Sequence, residues 1–445
     1  MKYIILTVVL STSLALHCQT LNGTLEQHAG QQISLTGFHY YQSLELSKTI
    51  ADSLGHFSLH YPKEYTGMAV LKTQDNSSFV VALTTQHIRL KGTHLKEPDS
   101  MVFENSTDNT NFMHYAKTQG VYANAASAWN YLEQLYQKEP LFNRQKRIKS
   151  TIVKEQQRLK TEDEDFIANL DKTSYVRWFI PYRKLLQEMP SVAKKEPQRI
   201  PELLQQFRTT NFNHPHFKTS GLFKELIEGH YMLLENMGQP LDSVYNQMNI
   251  STQHLIDNLQ TNDSLLNAVG DQLFNYLEKR SLFKASEYLS VSLLNNIQCA
   301  LEANLIAKLE SYRKLKVGAI APDISIQNTS KLSAIKTNKL VVFGASWCPT
   351  CKKDTSELLK YYTNWKAKNI EIVYISIDTD KTAFESAYKS MPWQSYCDYK
   401  GWETQAAKDY YISGTPSYFL LEATNKILLR PNSLAHANAW IVQNL

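Results

Sequence analysis

The chain has 445 residues, 43% hydrophobic and 20% charged, with a formal net charge of +5. That length is too great for one ordinary core, so two or three domains are expected. Basic and acidic residues are interspersed with no basic face or arm, which argues against a nucleic-acid partner.

Residues 1–18 read as a signal peptide: Lys2 supplies the positive end, and Ile4 to Leu16 is an apolar stretch too short to span stably. Cleavage between Cys18 and Gln19 is the preferred reading. Lipidation of Cys18 is the alternative, and His17 argues against it, because Gly, Ala or Ser normally precedes a lipid-modified Cys. Both place the protein in the periplasm or cell envelope, and membrane attachment follows only if Cys18 is lipidated. An exported chain of this size with only five cysteines is not a disulfide-stapled scaffold.

Residues 19–104 are expected to form a small all-β, sandwich-like domain with antiparallel strands. Gln32–Gly37, Phe57–Tyr61, Ala69–Lys72 and Ile88–Lys91 alternate polar and apolar, with turn chemistry at Asp52–Gly55 and Asp75–Ser77. No catalytic constellation stands out there.

Residues 105–316 read as an all-α region. Phe223, Ile227, Tyr231 and Leu234 form one apolar face at helical spacing. Leu265, Leu266, Val269, Leu273, Tyr276 and Leu277 form another, as do Leu301, Leu305, Leu309 and Tyr312. Pro140, Pro190, Pro201, Pro215 and Pro240 are expected at helix boundaries. Arg144 to Asp165 reads as a long solvated helix. His214-Pro-His216 reads as a loop, and Cys299 as a buried small hydrophobe.

The period changes in residues 317–445. A turn at Gly318–Asp323 enters a strand at Ile324–Ile326. Then follow strand 340–344, a helix from Pro349 to about Lys368, strand 370–377, and a helix from about Lys381. An aromatic-rich loop 391–402, a short helix 403–411, strands 417–421 and 426–429, and a helix 435–444 complete it. This is an α/β thioredoxin-like order.

The chemistry sits in Trp347-Cys348-Pro349-Thr350-Cys351, directly after the apolar run Leu340–Phe343. Two cysteines three apart on a helix's first turn can form a disulfide with little backbone change. The first lies where backbone N–H groups and the helix dipole favour a thiolate. Half of a zinc site is the competing reading, but no second Cys/His pair exists, so no metal is expected. On the same reasoning Cys348 is the nucleophile and the more exposed sulfur, and Cys351 resolves the mixed disulfide. Trp347 is either a landing surface for substrate or a core residue. Cys397 reads as a partly buried free thiol, with a redox relay as the alternative. Trp393, Tyr396, Tyr399 and Trp402 are expected to pin their loop to the core rather than line a groove.

This segment resembles the TlpA/ResA group of extracytoplasmic thiol-disulfide oxidoreductases. The resemblance rests on Gly318-x-x-Ala321-Pro322-Asp323, Ser346 through Asp354, and Gly414-Thr415-Pro416-Ser417-Tyr418-Phe419-Leu420-Leu421. The β and helical regions are similar to N-terminal extensions on such proteins in Bacteroidetes. The resemblance implies a cis Thr415–Pro416 bond facing the cysteines, with the Thr415 backbone open to an extended substrate. The group has a Glu linked to proton handling where this chain has Asp354, one methylene shorter, and a solvent-exposed helix residue is the competing reading. Thioredoxin's buried Asp is replaced here by Val342, which leaves Asp354 or solvent to handle protons.

The expected function is reduction of protein disulfides, with a thiol electron donor in the envelope and no cofactor beyond the dithiol. The alternatives are a thiol peroxidase, which Ala345 weakens because a Thr or Ser normally stands three residues before the peroxidatic Cys, and a partner-binding envelope protein with an appended redox domain.

Overall fold

A computed structural model of the chain describes residues 18–296, 300–326, 330–412 and 414–445. Residues 1–17, all but the last of the expected signal peptide 1–18, and Cys299 lie outside the described residues. All-β sheets come first, then a helical region, then a thioredoxin-like α/β domain. The chain divides into two compact units, one running to Gly238 and the other from Gln239 to Leu445, so the helical region is shared between them.

In the first unit the strands are β1 (Cys18–Leu25), β2 (Gln32–His39), β3 (Gln42–Ile50), β4 (His56–Pro62), β5 (Gly67–Thr73), β6 (Ser78–Leu83), β7 (His87–Gly92) and β8 (Val102–Phe103). They form two four-stranded sheets, ordered β4-β1-β7-β8 and β3-β2-β5-β6. One pairing departs from the expected antiparallel pattern: β1 runs parallel to β7, with Leu21 opposite Ile88. The alternation seen in the sequence is the pleat itself, because Phe57, Leu59 and Tyr61 of β4 all point into the shared core. Full burial of each such side chain contributes about 1.5–3 kcal/mol.

Five α-helices among the described residues complete this unit: α1 (Thr107–Lys138), α2 (Lys146–Asn169), α3 (Tyr175–Lys195), α4 (Ile200–Arg208) and α5 (Phe223–Glu235). Ser106 caps α1 by accepting the Asn109 N–H, and Ser174 caps α3 by accepting that of Arg177. Pro140, Pro201, Pro215 and Pro240 stand at helix ends, but Pro190 does not. It lies inside α3, as does Pro181. An interior proline removes one backbone hydrogen bond and costs about 3 kcal/mol or more. The buried face of Val176, Phe179, Ile180, Leu185, Met189 and Val192 is what holds α3 together despite both.

The second unit opens with α6 (Leu241–Leu259), α7 (Asp263–Lys279), α8 (Phe283–Leu294) and α9 (Ala303–Lys314). The α/β part follows as β9 (Asn338–Gly344), α10 (Pro349–Ala367), β10 (Ile370–Ser376), α11 (Lys381–Tyr388), β11 (Gln394–Cys397), α12 (Gln405–Asp409), β12 (Ser417–Leu421), β13 (Ile427–Leu429) and α13 (Leu434–Asn444). The five strands are ordered β11-β10-β9-β12-β13. Two expectations fail here. Ile324–Ile326 is not a strand and makes only an isolated bridge, Ser325 to Lys331. The aromatic loop instead contains β11, a fifth strand parallel to β10. The run Gln394-Ser-Tyr-Cys397 is too short and mixed to show period two, and pairing with β10 is what orders it.

Arg430, just past β13, binds the helices to the sheet. Its guanidinium lies 3.4 Å from the Glu278 carboxylate of α7. It also stands over the rings of Phe283, Tyr312 and Phe419, at 4.4, 5.0 and 5.5 Å. Both charged side chains are nearly buried, and desolvation raises the Glu278 carboxyl even against Arg430. Arg430→Ala strands that carboxylate without its partner. We expect it to lower unfolding stability by about 3–5 kcal/mol in urea titrations. The double variant Arg430→Met, Glu278→Gln should lose less, since it leaves no charge unpaired.

Candidate active site

The two cysteines stand where β9 ends and α10 begins. Val341, Val342 and Phe343 are buried on both sheet faces, so the strand must stop at the loop Ala345–Trp347. Gly344 has no room for a side chain: a Cβ there would lie 2.0 Å from the Tyr374 hydroxyl of β10. Pro349 takes the first turn of α10, where its missing N–H costs nothing. Cys348 is the N-cap, and its sulfur accepts the Cys351 backbone N–H at 3.2 Å. At its other end the helix stops at Lys368, and Asn369 turns the chain with φ +56°.

Cys348 is the more accessible sulfur only by comparison. It is 5% exposed, against 1% for Cys351, so it is the more exposed of the two as expected, yet both are buried. The Cys348 thiol also reaches the Thr415 carbonyl, at 3.5 Å. The Thr415–Pro416 peptide is cis. β12 pairs antiparallel with β9, with Ser417 opposite Phe343, and so carries Thr415 to the cysteines.

The two sulfurs titrate in opposite directions. Burial works against a thiolate at Cys348, but hydrogen bonds from the Cys351 thiol and backbone N–H, then from Thr415 and Thr350, outweigh it and hold this thiol below its ordinary value. Burial, then the neighbouring Cys348 sulfur, push the Cys351 thiol up. One sulfur is set to attack while the other keeps its proton.

A residue that sequence reasoning missed supports the loop. Asp378, beyond the end of β10, is 1% exposed. Its carboxylate accepts the Ser346 N–H at 3.0 and 3.1 Å, the Ser346 hydroxyl at 2.7 Å and the Ser376 hydroxyl at 2.6 Å. An Asp two residues past a strand of Val, Tyr and Ile reads as an exposed turn. Only the pairing of β9 with β10, Gly344 opposite Ser376, puts it behind the cysteines.

Asp354 is not the free surface residue of the competing reading. It is half-buried, and its carboxylate accepts a hydrogen bond from the Tyr418 hydroxyl of β12. Burial raises its carboxyl above the ordinary value, partly offset by that bond. Trp347 is 55% exposed, which removes the core-packing reading, and its ring lies 6.4 Å from that of Trp402, itself 44% exposed. Trp402 therefore departs from the expectation that the loop aromatics face the core, whereas Trp393 is in the core and Tyr399 packs on Phe384. The Cys397 sulfur donates to the Asp378 carbonyl at 3.3 Å and accepts the Tyr399 N–H at 3.4 Å, an ordinary half-buried thiol on β11.

Among the described residues, one trio has metal-ligand geometry: His28, Asp75 and His94 in the β region. Its ring lone pairs are already engaged. His94 Nδ1 accepts the Lys96 N–H at 3.0 Å, which places its proton on Nε2, 3.3 Å from Asp75. His28 Nε2 accepts the Leu95 N–H at 3.4 Å, and its Nδ1 faces Gln31. The trio is a hydrogen-bonded tie between turns.

This geometry defines a thioredoxin-like domain with a C-x-x-C dithiol. A thioredoxin-like family model matches residues 338–427. Among curated proteins the chain is similar to a probable nucleoredoxin 1 from Arabidopsis thaliana, 30% identical over 93 residues, which is 20% of this chain and 16% of that protein. It is likewise 30% identical over 93 residues to tryparedoxin from Trypanosoma brucei brucei, covering 65% of it. Among solved structures it is similar to the C-terminal domain of a putative thiol-disulfide oxidoreductase from Bacteroides thetaiotaomicron, with 31% identity, 30% of this chain, 99% of that chain and a TM-score of 0.26. The chain thus spans only about a fifth of the length of the nucleoredoxins it matches.

Alkylation of the reduced protein by iodoacetamide should report the asymmetry of the sulfurs. Cys348 should react with a pH midpoint below the ~8.5 of a free thiol. Cys351→Ala removes one of the hydrogen bonds that favour the thiolate, and should move that midpoint upward. A midpoint in the parent protein at or above the free-thiol value would contradict the assignment.

Proposed function

We propose that this protein is an exported thiol-disulfide oxidoreductase of the TlpA/ResA kind that reduces protein disulfides in the periplasm or cell envelope. The observation that carries this reading is the polarised dithiol: Cys348 at the helix N-cap with its thiol held low, Cys351 beneath it with its proton kept, and the Thr415 carbonyl alongside.

In this scheme the Cys348 thiolate attacks one sulfur of a substrate disulfide. A Cys348–substrate bond forms, the substrate S–S bond breaks, and the second substrate sulfur leaves with the electron pair and takes up a proton. Cys351 then loses its proton and attacks the Cys348 sulfur. The intramolecular disulfide forms, and the first substrate sulfur leaves as a thiol. Two electrons have passed to the substrate, and a thiol donor in the envelope must return them. On this reading an extended substrate segment runs along the Thr415–Pro416 turn, whose Thr415 carbonyl is beside the Cys348 sulfur, and Trp347 offers it an exposed apolar face. The scheme needs no cofactor. No helix among the described residues is long and apolar enough to cross a membrane.

The deciding measurement is the reduction potential of the Cys348–Cys351 pair, by equilibration against glutathione or dithiothreitol. A value near about −250 mV or lower is expected for a reductase kept reduced by a donor, whereas a value near about −120 mV would make it an oxidant. A pair that neither forms a disulfide nor exchanges with the buffer would sink the enzyme reading and favour a partner-binding role for the β and helical regions.

A further inference from the structure

The chain has seven tryptophans, and all but Trp347 and Trp402 are buried or half-buried. Those two are 55% and 44% exposed, and their ring centroids lie 6.4 Å apart with a tilt of 58°. Single exposed apolar side chains need no explanation. Two exposed indoles from distant parts of the chain, side by side next to the Cys348 nucleophile, form a patch that core packing does not account for.

Both rings are held in place, and from the same short segment. Trp347 follows Ser346, whose N–H and hydroxyl are bound by the Asp378 carboxylate. Trp402 sits in one tight helical turn, Gly401–Glu403, closed by the Glu403 N–H donating to the Lys400 carbonyl at 3.1 Å. The Asp398 carboxylate ties that turn further, accepting the Lys400 N–H at 3.1 Å and the Thr404 hydroxyl at 2.6 Å. Gly401 has φ +62° and is buried against Thr379, where a Cβ would lie 3.0 Å from the Thr379 methyl. Asp378 therefore fixes one ring through Ser346, and its neighbour Thr379 fixes the other through Gly401. Past the turn, Ala407 of α12 packs with Cys348 and Cys351. A surface prepared in this way loses little freedom when it is covered.

The charges nearby select among possible occupants. Glu403, beside Trp402, is paired with Lys408 at 2.6 Å. Lys352 and Lys353 are exposed on α10 directly after Cys351. The local excess is positive, so a cation that would otherwise stack on indole is repelled. A neutral aromatic ring gains an edge-to-face or offset contact with the tilted pair and meets no such penalty.

We propose that Trp402 is a specificity-determining residue: with Trp347 it binds an aromatic side chain flanking the cysteine of a substrate disulfide, and so selects protein disulfides with such a neighbour. This deepens the oxidoreductase reading above and rests on it. The sulfur chemistry is as already written; the aromatic contact adds affinity for the segment that brings its disulfide to Cys348.

The test uses the full reduced protein and three blocked tetrapeptides, Ala-Phe-Cys-Ala, Ala-Gly-Cys-Ala and Ala-Lys-Cys-Ala, each as its symmetric disulfide dimer. Each reduction turns one peptide disulfide into two peptide thiols as the Cys348–Cys351 disulfide forms, and the thiols are counted by chromatography in single turnover. The parent should favour the Phe dimer over the Gly dimer about tenfold in second-order rate, with the difference in half-saturation rather than limiting rate. The Lys dimer should do no better than the Gly dimer. Trp402→Ala should bring the Phe-to-Gly ratio close to one, Trp402→Phe should keep most of it, and adding Trp347→Ala to Trp402→Ala should lower it no further. A parent that reduces the Phe and Gly dimers alike, a ratio that survives Trp402→Ala, or a preference for the Lys dimer would overturn the inference and leave the oxidoreductase reading standing. A parent that reduces none of the three has failed at the oxidoreductase reading itself, and the inference falls with it.

Discussion

A buried carboxylate is the constraint on which the site depends. Taking Asp378 out of water is expensive unless its oxygens are paired. Here three donor groups from two residues pair them: the Ser346 N–H and hydroxyl, and the Ser376 hydroxyl. A hydrogen bond to a charged group contributes about 1.5–3 kcal/mol, so the arrangement offsets its desolvation only if every partner stays in place. That requirement makes the Ala345–Trp347 loop rigid without regular structure. The cysteines then inherit their position from the loop rather than from the helix alone.

The rest of the α/β core follows from the same sheet end. Parallel pairing of β9 with β10 brings Ser376 beside Gly344, and Gly344 is small because the Tyr374 hydroxyl fills the space a side chain would need. On the other side of β9, antiparallel β12 delivers Thr415 to the Cys348 sulfur and Tyr418 to Asp354. A shift of β12 by one residue would turn Tyr418 to the opposite face and lose the contact with Asp354. Phe419, the next residue, faces that opposite side and packs beneath Arg430, so the register is also tied to the helices of the same unit.

The placing of the two cysteines was legible because it is local. A C-x-x-C run after an apolar strand sets two sulfurs and a helix start within five consecutive residues. The helical faces around Phe223 and Leu265 were equally plain, since 3.6-residue spacing is written along the chain. Three other features are not local. Asp378 lies thirty-two positions from Ser346 and carries no pattern of its own. β11 is ordered by its neighbour rather than by its composition. Pro190 breaks a local rule because the buried face of α3 outweighs one lost hydrogen bond. In each case tertiary pairing decides what propensity leaves open.

The burial of Cys348 shows why a polarised dithiol needs more than two cysteines. Desolvation by itself would raise both thiols and leave neither reactive. The difference between them lies in the balance: the first-turn N–H of Cys351 points at the Cys348 sulfur and helps outweigh its burial, whereas the bonds that favour a thiolate at Cys351, from the Ala345 backbone and the Thr415 side chain, do not overcome burial and the neighbouring sulfur. A surface cysteine would gain exposure but lose the water exclusion that strengthens those bonds. Cys348 is 5% exposed and stands next to the exposed Trp347 ring, which packs near that of Trp402. On the proposed oxidoreductase reading, these aromatic faces give a substrate segment an apolar surface on which to settle.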